Sequence, residues 1–327
     1  MDSRNLRWAV LGTGVIANEM ARALQKMGKK LYAVGNRTHE KAVAFAEKYS
    51  VEKVYDSIDE MFDDADSDII YITTPHNTHY GFIKRALENG KHVLAEKSIT
   101  LNSRELNELT ALAKKKGLIL GEAMTIWHMP LYKALRRIAG GELGRVQIIT
   151  VNFGSFKEYD MNNRFFNMQL AGGALLDIGV YALSVVLGFM SETPAEILSR
   201  WRPSPTGSDE QSAIILKNDS GEMAAVALSM HSKQPKRAMI SCEKGYIEIM
   251  EFPRADRAVI TDAESGERQE LAVGDSANAL FYEMTDMEEA VRTGDDSLMM
   301  LSRTKDVMDI MTRLRKEWNL KYPNELW

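Results

Sequence analysis

The run Leu6-Arg7-Trp8-Ala9-Val10-Leu11 passes directly into Gly12-Thr13-Gly14-Val15-Ile16-Ala17, and apolar residues then recur with helical spacing at Ala17, Met20, Ala21, Leu24 and Met27. A strand, a glycine-rich turn and a helix in that order form the opening step of a doubly wound parallel sheet, and no other feature constrains the fold as much. Gly12 permits the tight turn, Gly14 lets the backbone approach a pyrophosphate, and Ala17 is small enough for close packing of helix on strand. Gly12, Thr13, Gly14, Val15 and Ile16 are therefore candidate cofactor contacts, with the N–H groups of the helix N-terminus turned to the anion. A GxGxxA pattern alone is weak, because glycines in such turns often serve backbone geometry only. The legible strand and helix around it favour the dinucleotide reading.

Strands and helices go on alternating to about residue 125, with strands expected at Lys30 to Gly35, Asp68 to Thr73, His92 to Ala95 and Leu118 to Gly121. Thr38 is a plausible N-cap, Ser57 with Glu60 makes a capping box, and Asn102 to Lys116 presents Leu106, Leu109 and Leu112 on one helix face. Residues 1–125 thus read as an α/β Rossmann domain, a parallel sheet covered on both faces. Past Pro130 a helix through Leu131, Leu135 and Ile138 gives way to short strands joined by tight turns such as Asn218-Asp219-Ser220-Gly221. Residues 126–327 read as an α+β domain on an open, mostly antiparallel sheet, closed by helices around Phe281 to Val291 and Ser302 to Trp318.

At 327 residues the chain is long enough for two cores, and its net charge of -5 provides no field to recruit nucleic acid or an anionic membrane. The single cysteine, Cys242, excludes an internal disulfide and fits a reducing compartment. Met1-Asp2-Ser3-Arg4 lacks the apolar stretch of a signal peptide, and no apolar run is expected to reach the roughly 20 residues that span a bilayer. A cytoplasmic protein with no membrane or nucleic-acid partner is the expectation.

In NAD enzymes the second strand commonly ends in an acid that accepts from the adenosine ribose; here it ends Val34-Gly35-Asn36-Arg37. Asn36 and Arg37 are candidate contacts, and the arginine's planar fork suits a 2′-phosphate, which favours NADP with NAD as the alternative. Glu96 and Lys97 close the strand at His92 to Ala95, on the side of the sheet where such folds bind ligands. Lysine's free pKa of about 10.4 is too high for a base at neutral pH, but burial beside an oxidised nicotinamide would lower it. In Gly172-Gly173-Ala174-Leu175-Leu176-Asp177-Ile178-Gly179-Val180-Tyr181 a double glycine leads into a helix that puts Asp177 and Tyr181 four residues apart, on one face. On spacing alone, a dipole-favoured carboxylate and an amphipathic core tyrosine are the favoured explanation.

Taken together, GTGVIA at 12 to 17, NRTHEKAVAFAEKY at 36 to 49, TTPHNTHY at 73 to 80, NGKHVLAEKS at 89 to 98, GEAM at 121 to 124 and GGALLDIGVY at 172 to 181 resemble the Gfo/Idh/MocA oxidoreductases. Within that family the likeness is greatest to the dihydrodiol dehydrogenase-like branch, which has a tyrosine where sugar-acting members usually have histidine, and whose C-terminal pattern is similar to Leu320-Lys321-Tyr322-Pro323. The resemblance implies that Lys97 is the catalytic lysine, that Asp177 and Tyr181 stand beside the substrate, and that Thr74, Pro75, Asn77 and His79 run beside the cofactor. It also implies a second subunit on the open sheet, giving a homodimer or a dimer-based tetramer.

Two departures stand out. Ser98 replaces the family's usual proline, which puts the cis peptide often found there in question. The run after GEAM reads Thr125-Ile126-Trp127-His128, so Trp127 and His128 line a pocket of altered polarity or pack between domains. His76 and His79 lack the further ligands of a metal site, and no metal is inferred. The implied activity is hydride transfer between a nicotinamide and a secondary alcohol or ketone of a sugar, cyclic polyol or carbocyclic diol. An NAD-dependent glycosidase of the same fold and a non-catalytic NADP sensor are the competing readings.

Overall fold

The structure is a computed structural model that describes residues 5–323 and 325. Met1 to Arg4, read above as lacking an apolar leader, lie outside the described residues. The chain divides into two compact units, Met1–Ala123 with Leu280–Leu301, and Met124–Ala279 with Ser302–Trp327.

The first unit is built on six parallel strands, β1 (Trp8–Leu11), β2 (Ala33–Gly35), β3 (Lys53–Val54), β4 (Ile69–Ile72), β5 (His92–Glu96) and β6 (Leu120–Ala123), in the order β3-β2-β1-β4-β5-β6. Every residue of β1 and β4 is buried, as a sheet covered on both faces demands. The strand order reverses between β1 and β4, so the ligand crevice of such a fold lies outside their carboxyl ends. The covering helices are α1 (Val15–Lys26), α2 (His39–Tyr49), α3 (Ile58–Asp63), α4 (His76–Glu88) and α5 (Ser103–Lys116). Ser57 Oγ accepts from the N–H of Glu60 at 3.3 Å and Asn102 Oδ1 from that of Glu105 at 3.0 Å. Thr38 holds the N-cap position of α2 without a side-chain bond.

The second unit begins with α6 (Thr125–His128) and α7 (Pro130–Gly140). Its sheet has eight strands, β7 (Val146–Gly154), β8 (Glu196–Pro203), β9 (Asp209–Lys217), β10 (Met223–Ser229), β11 (Gln234–Cys242), β12 (Gly245–Met250), β13 (Arg257–Asp262) and β14 (Arg268–Ala272), in the order β14-β13-β12-β11-β7-β10-β9-β8. All pairings are antiparallel except β7 with β10. Helix α8 (Val180–Phe189) is buried at every residue but Tyr181 and Gly188. With the turns before it, Met168–Phe189 is long and apolar enough to cross a membrane, with a mean hydropathy of 1.9, which corrects the expectation that no such run exists. That window is 89% buried within the protein, as befits a core helix.

Two further corrections concern organisation. The sequence reading assigned everything after residue 125 to the second domain, yet α9 (Ala279–Thr293) and the chain to Leu301 return to the first unit. Buried Glu288 accepts from Trp8 Nε1 at 3.0 Å and Arg292 Nη2 at 2.8 Å and pairs with Lys29, and Tyr71 OH donates toward Glu283 Oε1 at 3.1 Å. A Cβ on Gly121 would stand 2.6 Å from Met299 Sδ, so β6 is glycine where Met299 packs. Strands β3 and β14 were also not foreseen. The first has two residues and no periodicity to read, and the second is an exposed polar edge. The last helix, α10 (Leu301–Glu317), falls where expected.

Candidate active site

The first unit supplies a dinucleotide cradle. Gly12 has φ +112°, its N–H donates to Gly35 O at 2.8 Å, and a Cβ there would meet Thr73 Oγ1 at 2.5 Å, so no other residue fits this turn. A Cβ on Gly14, by contrast, would have nothing within 4 Å: its small size leaves open space in front of α1, which starts at Val15 with no side-chain cap. Val15 itself is 74% exposed, an apolar side chain left uncovered at the mouth of the turn. The turn is held from behind by Asn18, a residue that sequence reasoning missed. Its Nδ2 donates to Thr13 O at 3.2 Å and Gly14 O at 2.8 Å, while its Oδ1 accepts from Lys48 Nζ at 2.9 Å and Tyr49 OH at 2.8 Å. Open helix N–H groups and an unfilled turn fit a pyrophosphate.

At the end of β2, Asn36 Nδ2 donates to Thr38 O at 2.9 Å, and Arg37 is exposed and makes no ion pair or hydrogen bond among the described residues. At the end of β4, Thr74 Oγ1 accepts from Thr78 at 2.7 Å, and Pro75 and Asn77 are exposed at the start of α4. His79 does not belong with them. It is 0% exposed, with Nε2 2.7 Å from Thr74 O and Nδ1 2.9 Å from Ser98 O, and burial lowers its pKa despite those two carbonyls. It is a positioning residue that ties the β4 loop to the β5 loop, and no surface remains for direct contact with a cofactor.

The same framework fixes the stretch that carries Lys97. His76 Nε2 lies 3.0 Å from Lys97 O, Ile99 N–H donates to Glu122 Oε1 at 3.1 Å, and the Lys97–Ser98 peptide is cis although Ser98 is not proline. Glu96 accepts from Tyr71 OH at 2.6 Å; burial and the facing Glu283 and Glu96 carboxylates push that phenol well up.

The second unit supplies a carboxylate and a phenol. Asp177 sits in a π-helical turn, Leu175–Gly179, directly before α8, so it and Tyr181 do not share one regular α-helix as the spacing suggested. π-Turns recur at functional sites. The Asp177 carboxylate accepts from Arg164 Nη1 at 3.0 Å. Arg164 was also missed, because it lies on an irregular segment with no periodicity. The double glycine is explained by what packs on it: a Cβ on Gly172 would meet Arg164 O at 2.5 Å, and one on Gly173 (φ +136°) would meet Asp209 Oδ1 at 2.0 Å. Tyr181 lines a cavity of about 490 Å³ with Phe153, Lys236, Glu251, Arg254 and Ser276. Trp127 and His128 do not line it. Both are 1% exposed, and Trp127 packs where a Cβ on Gly188 would lie 3.3 Å from its ring.

Asp209 Oδ2 accepts from the N–H of Leu175 at 2.6 Å, and burial pushes the carboxyl up to about 7. The unfolded chain releases this proton near pH 4 and the native state near 7, so native stability falls as pH rises through that window. Asp209→Asn keeps an acceptor for Leu175 and removes the titration. Its melting temperature should gain on the parent progressively from pH 4 to 7 and run parallel above; parallel profiles throughout would contradict this.

The comparisons bear on the fold and the family. Residues 6–124 match the model of an oxidoreductase family with an NAD-binding Rossmann fold, and residues 132–248 match the GFO/IDH/MocA C-terminal domain. Trans-1,2-dihydrobenzene-1,2-diol dehydrogenases of Xenopus laevis and Mus musculus are 29% and 28% identical, over 97% and 98% of this chain and 99% of each relative. Among solved structures, KijD10, a 3-ketoreductase from Actinomadura kijaniata in complex with NADP and TDP-benzene, superposes with a TM-score of 0.85 at 20% identity, over 96% of this chain and 98% of that one. The UDP-N-acetylglucosamine 3-dehydrogenase GnnA from Acidithiobacillus ferrooxidans gives 0.81 at 20%, over 97% and 99%. With both family domains matched in order along the chain, and relatives aligned nearly end to end, the protein belongs to the Gfo/Idh/MocA oxidoreductase family.

Proposed function

We propose that the protein is an NADP-preferring oxidoreductase that moves a hydride between the nicotinamide and a secondary alcohol carbon of a sugar, cyclic polyol or carbocyclic diol. The observation that carries the substrate class is the cavity beside Tyr181, where an aromatic wall at Phe153 meets Lys236, Glu251, Arg254 and Ser276. Such a lining suits a ring with an apolar face and hydroxyls at its edge. The dihydrodiol in the names of its relatives and the UDP-N-acetylglucosamine in the name of a structural neighbour support this class.

When bound, the dinucleotide supplies the hydride acceptor or donor. Lys97 and Tyr181 share the transfer of the substrate hydroxyl proton, and Asp177, with Arg164 as its counter-charge, orients a hydroxyl. Absorbance of NADPH followed with a panel of ketoses, inosose-like ketones and diols tests the reading. Net turnover on one of them is expected, whereas glycoside cleavage without net cofactor turnover, or no turnover at all, would contradict it.

Arg37 carries the cofactor preference, since it offers an unengaged guanidinium where an NAD enzyme commonly has an acid. NADP(H) should bind at least about tenfold tighter than NAD(H), roughly 1.4 kcal/mol, and Arg37→Ala should remove most of the difference. Equal affinities in a fluorescence titration would refute this.

The assembly follows from where apolar residues remain exposed. Ile148, Leu198, Ile215, Met223 and Met250 lie on the sheet face opposite α8, in adjacent cross-strand rows: Leu198 pairs with Ile215, and Met223 with Ile148. Such a patch favours a second subunit, and a homodimer or dimer-based tetramer is expected. Light scattering should report at least a dimer at micromolar concentration and a lighter species for Leu198→Asp with Ile215→Asp. A monomeric parent would count decisively against it.

A further inference from the structure

A second cavity, of about 630 Å³, opens in the second unit at the opposite ends of the elements that carry the candidate site. Val146 begins β7 and lines this cavity, whereas Phe153, near the other end of the strand, lines the one beside Tyr181. Phe189 likewise closes α8, and Tyr181 lies in its first turn. At about 3.3 Å per residue, β7 alone separates the two by roughly 20 Å.

Arg136, on α7, marks this cavity as a site. The side chain is half-buried, its Nη1 is sealed from solvent with no hydrogen-bond acceptor, and it enters no ion pair among the described residues. A guanidinium keeps its charge in a protein, so a buried N–H without an acceptor is costly. Its charged neighbour is Arg303, of like sign; burial first and then Arg303 lower its pKa.

The other ionic groups do not compensate it. Arg145, at the rim, is held by Glu243 through Nε and Nη2, both at 3.0 Å. The Glu222 carboxylate accepts from Ser191 N–H at 2.8 Å, Ser191 Oγ at 2.9 Å and Asn218 Nδ2 at 2.6 Å. Both α7 and α8 end at this wall, at Gly140 and Phe189, where helix carbonyls carry partial negative charge. Nη1 is closed off as it stands, so a ligand meets the Arg136 guanidinium on the edge that lines the cavity, and the helix ends offer it acceptors.

We propose that this cavity is a second ligand site, for a small organic anion whose carboxylate or phosphate pairs with Arg136 and whose hydroxyl or ammonium groups meet Glu222 and the helix-end carbonyls. Its volume is within the usual range for small-molecule sites.

Calorimetric titration of the full chain with citrate, inorganic phosphate and glycerol 3-phosphate, at constant ionic strength in NaCl, tests it. Saturating NADP, present in every titration, keeps phosphate binding at the dinucleotide turn and at Arg37 from being counted. Saturable binding is expected, tighter for glycerol 3-phosphate than for inorganic phosphate; preference for citrate would identify a carboxylate ligand. Arg136→Met should weaken it at least about tenfold without lowering the melting temperature. Ser220→Glu, at the exposed mouth, should weaken it too by placing a like charge there, and it decides the matter if Arg136→Met fails to fold. No saturable binding of any probe up to about 10 mM, or parental affinity in a folded Arg136→Met protein or in Ser220→Glu, would overturn the site.

Discussion

Lys97→Met is expected to lower turnover by at least about a hundredfold while NADPH affinity changes little. Lys97 follows the last residue of β5, and its backbone is fixed from two sides, by His76 at 3.0 Å on its own carbonyl and by His79 at 2.9 Å on that of Ser98. The substitution therefore removes an ammonium without releasing the loop. A methionine of similar length keeps the packing of the stem, so a loss confined to kcat reports the charge and the proton. Tyr181→Phe should also slow the reaction. If the two groups move one proton as a unit, the double variant is scarcely worse than Lys97→Met alone. Multiplicative losses would assign them independent roles, and near-normal turnover of Lys97→Met on its true substrate would remove the lysine from the mechanism.

The parts of this site that could be read from the sequence are those whose chemistry is local. β1 and α1 are legible because a short buried strand, two glycines and a 3.6-residue apolar period are all contiguous, and Gly12 is where the turn requires it. Arg37 stands out in the sequence by the absence of an acid at the end of β2, and the structure leaves it exposed. What escaped notice depends on distant partners. His79 looks like a polar residue at a helix start, and only the carbonyls of Thr74 and Ser98 show it to be a buried tie. Arg164 has no pattern around it, and its meaning comes from Asp177, 3.0 Å away. The amphipathic period of α9 shows that one face is covered but not by which unit; Trp8 and Tyr71, near the start of the chain, supply the answer. Residues near Pro323 matched the family's pattern with no physical account at all until their contacts were visible.

That account is a buried cluster at the entry to the helix that carries the candidate residue Tyr181. Arg315 donates to Glu325 from Nη1 at 2.8 Å and from Nη2 at 2.6 Å, with both side chains at 0% exposure, and its guanidinium lies 4.8 Å from the centre of the Tyr322 ring. Tyr322 N–H donates to Glu325 Oε2 at 3.2 Å, and Tyr322 OH donates to Gly172 O at 3.0 Å, the first glycine of the pair that leads to Asp177. The C-terminal segment thus pins the turn that aims the candidate carboxylate. Replacing one partner of a buried ion pair leaves the other charge uncompensated, which costs about 3–5 kcal/mol. Arg315→Met should accordingly lower the melting temperature by roughly 10 °C, and the paired change Arg315→Met with Glu325→Leu should recover most of it, because the Glu325 carboxylate is then not stranded. Turnover should fall further in the single variant than in the pair, since Gly172 loses its anchor when Tyr322 is displaced by an unpaired Glu325. A single variant that melts within about 2 °C of the parent, or a pair that is no better than the single, would show that the cluster is not held by this ion pair.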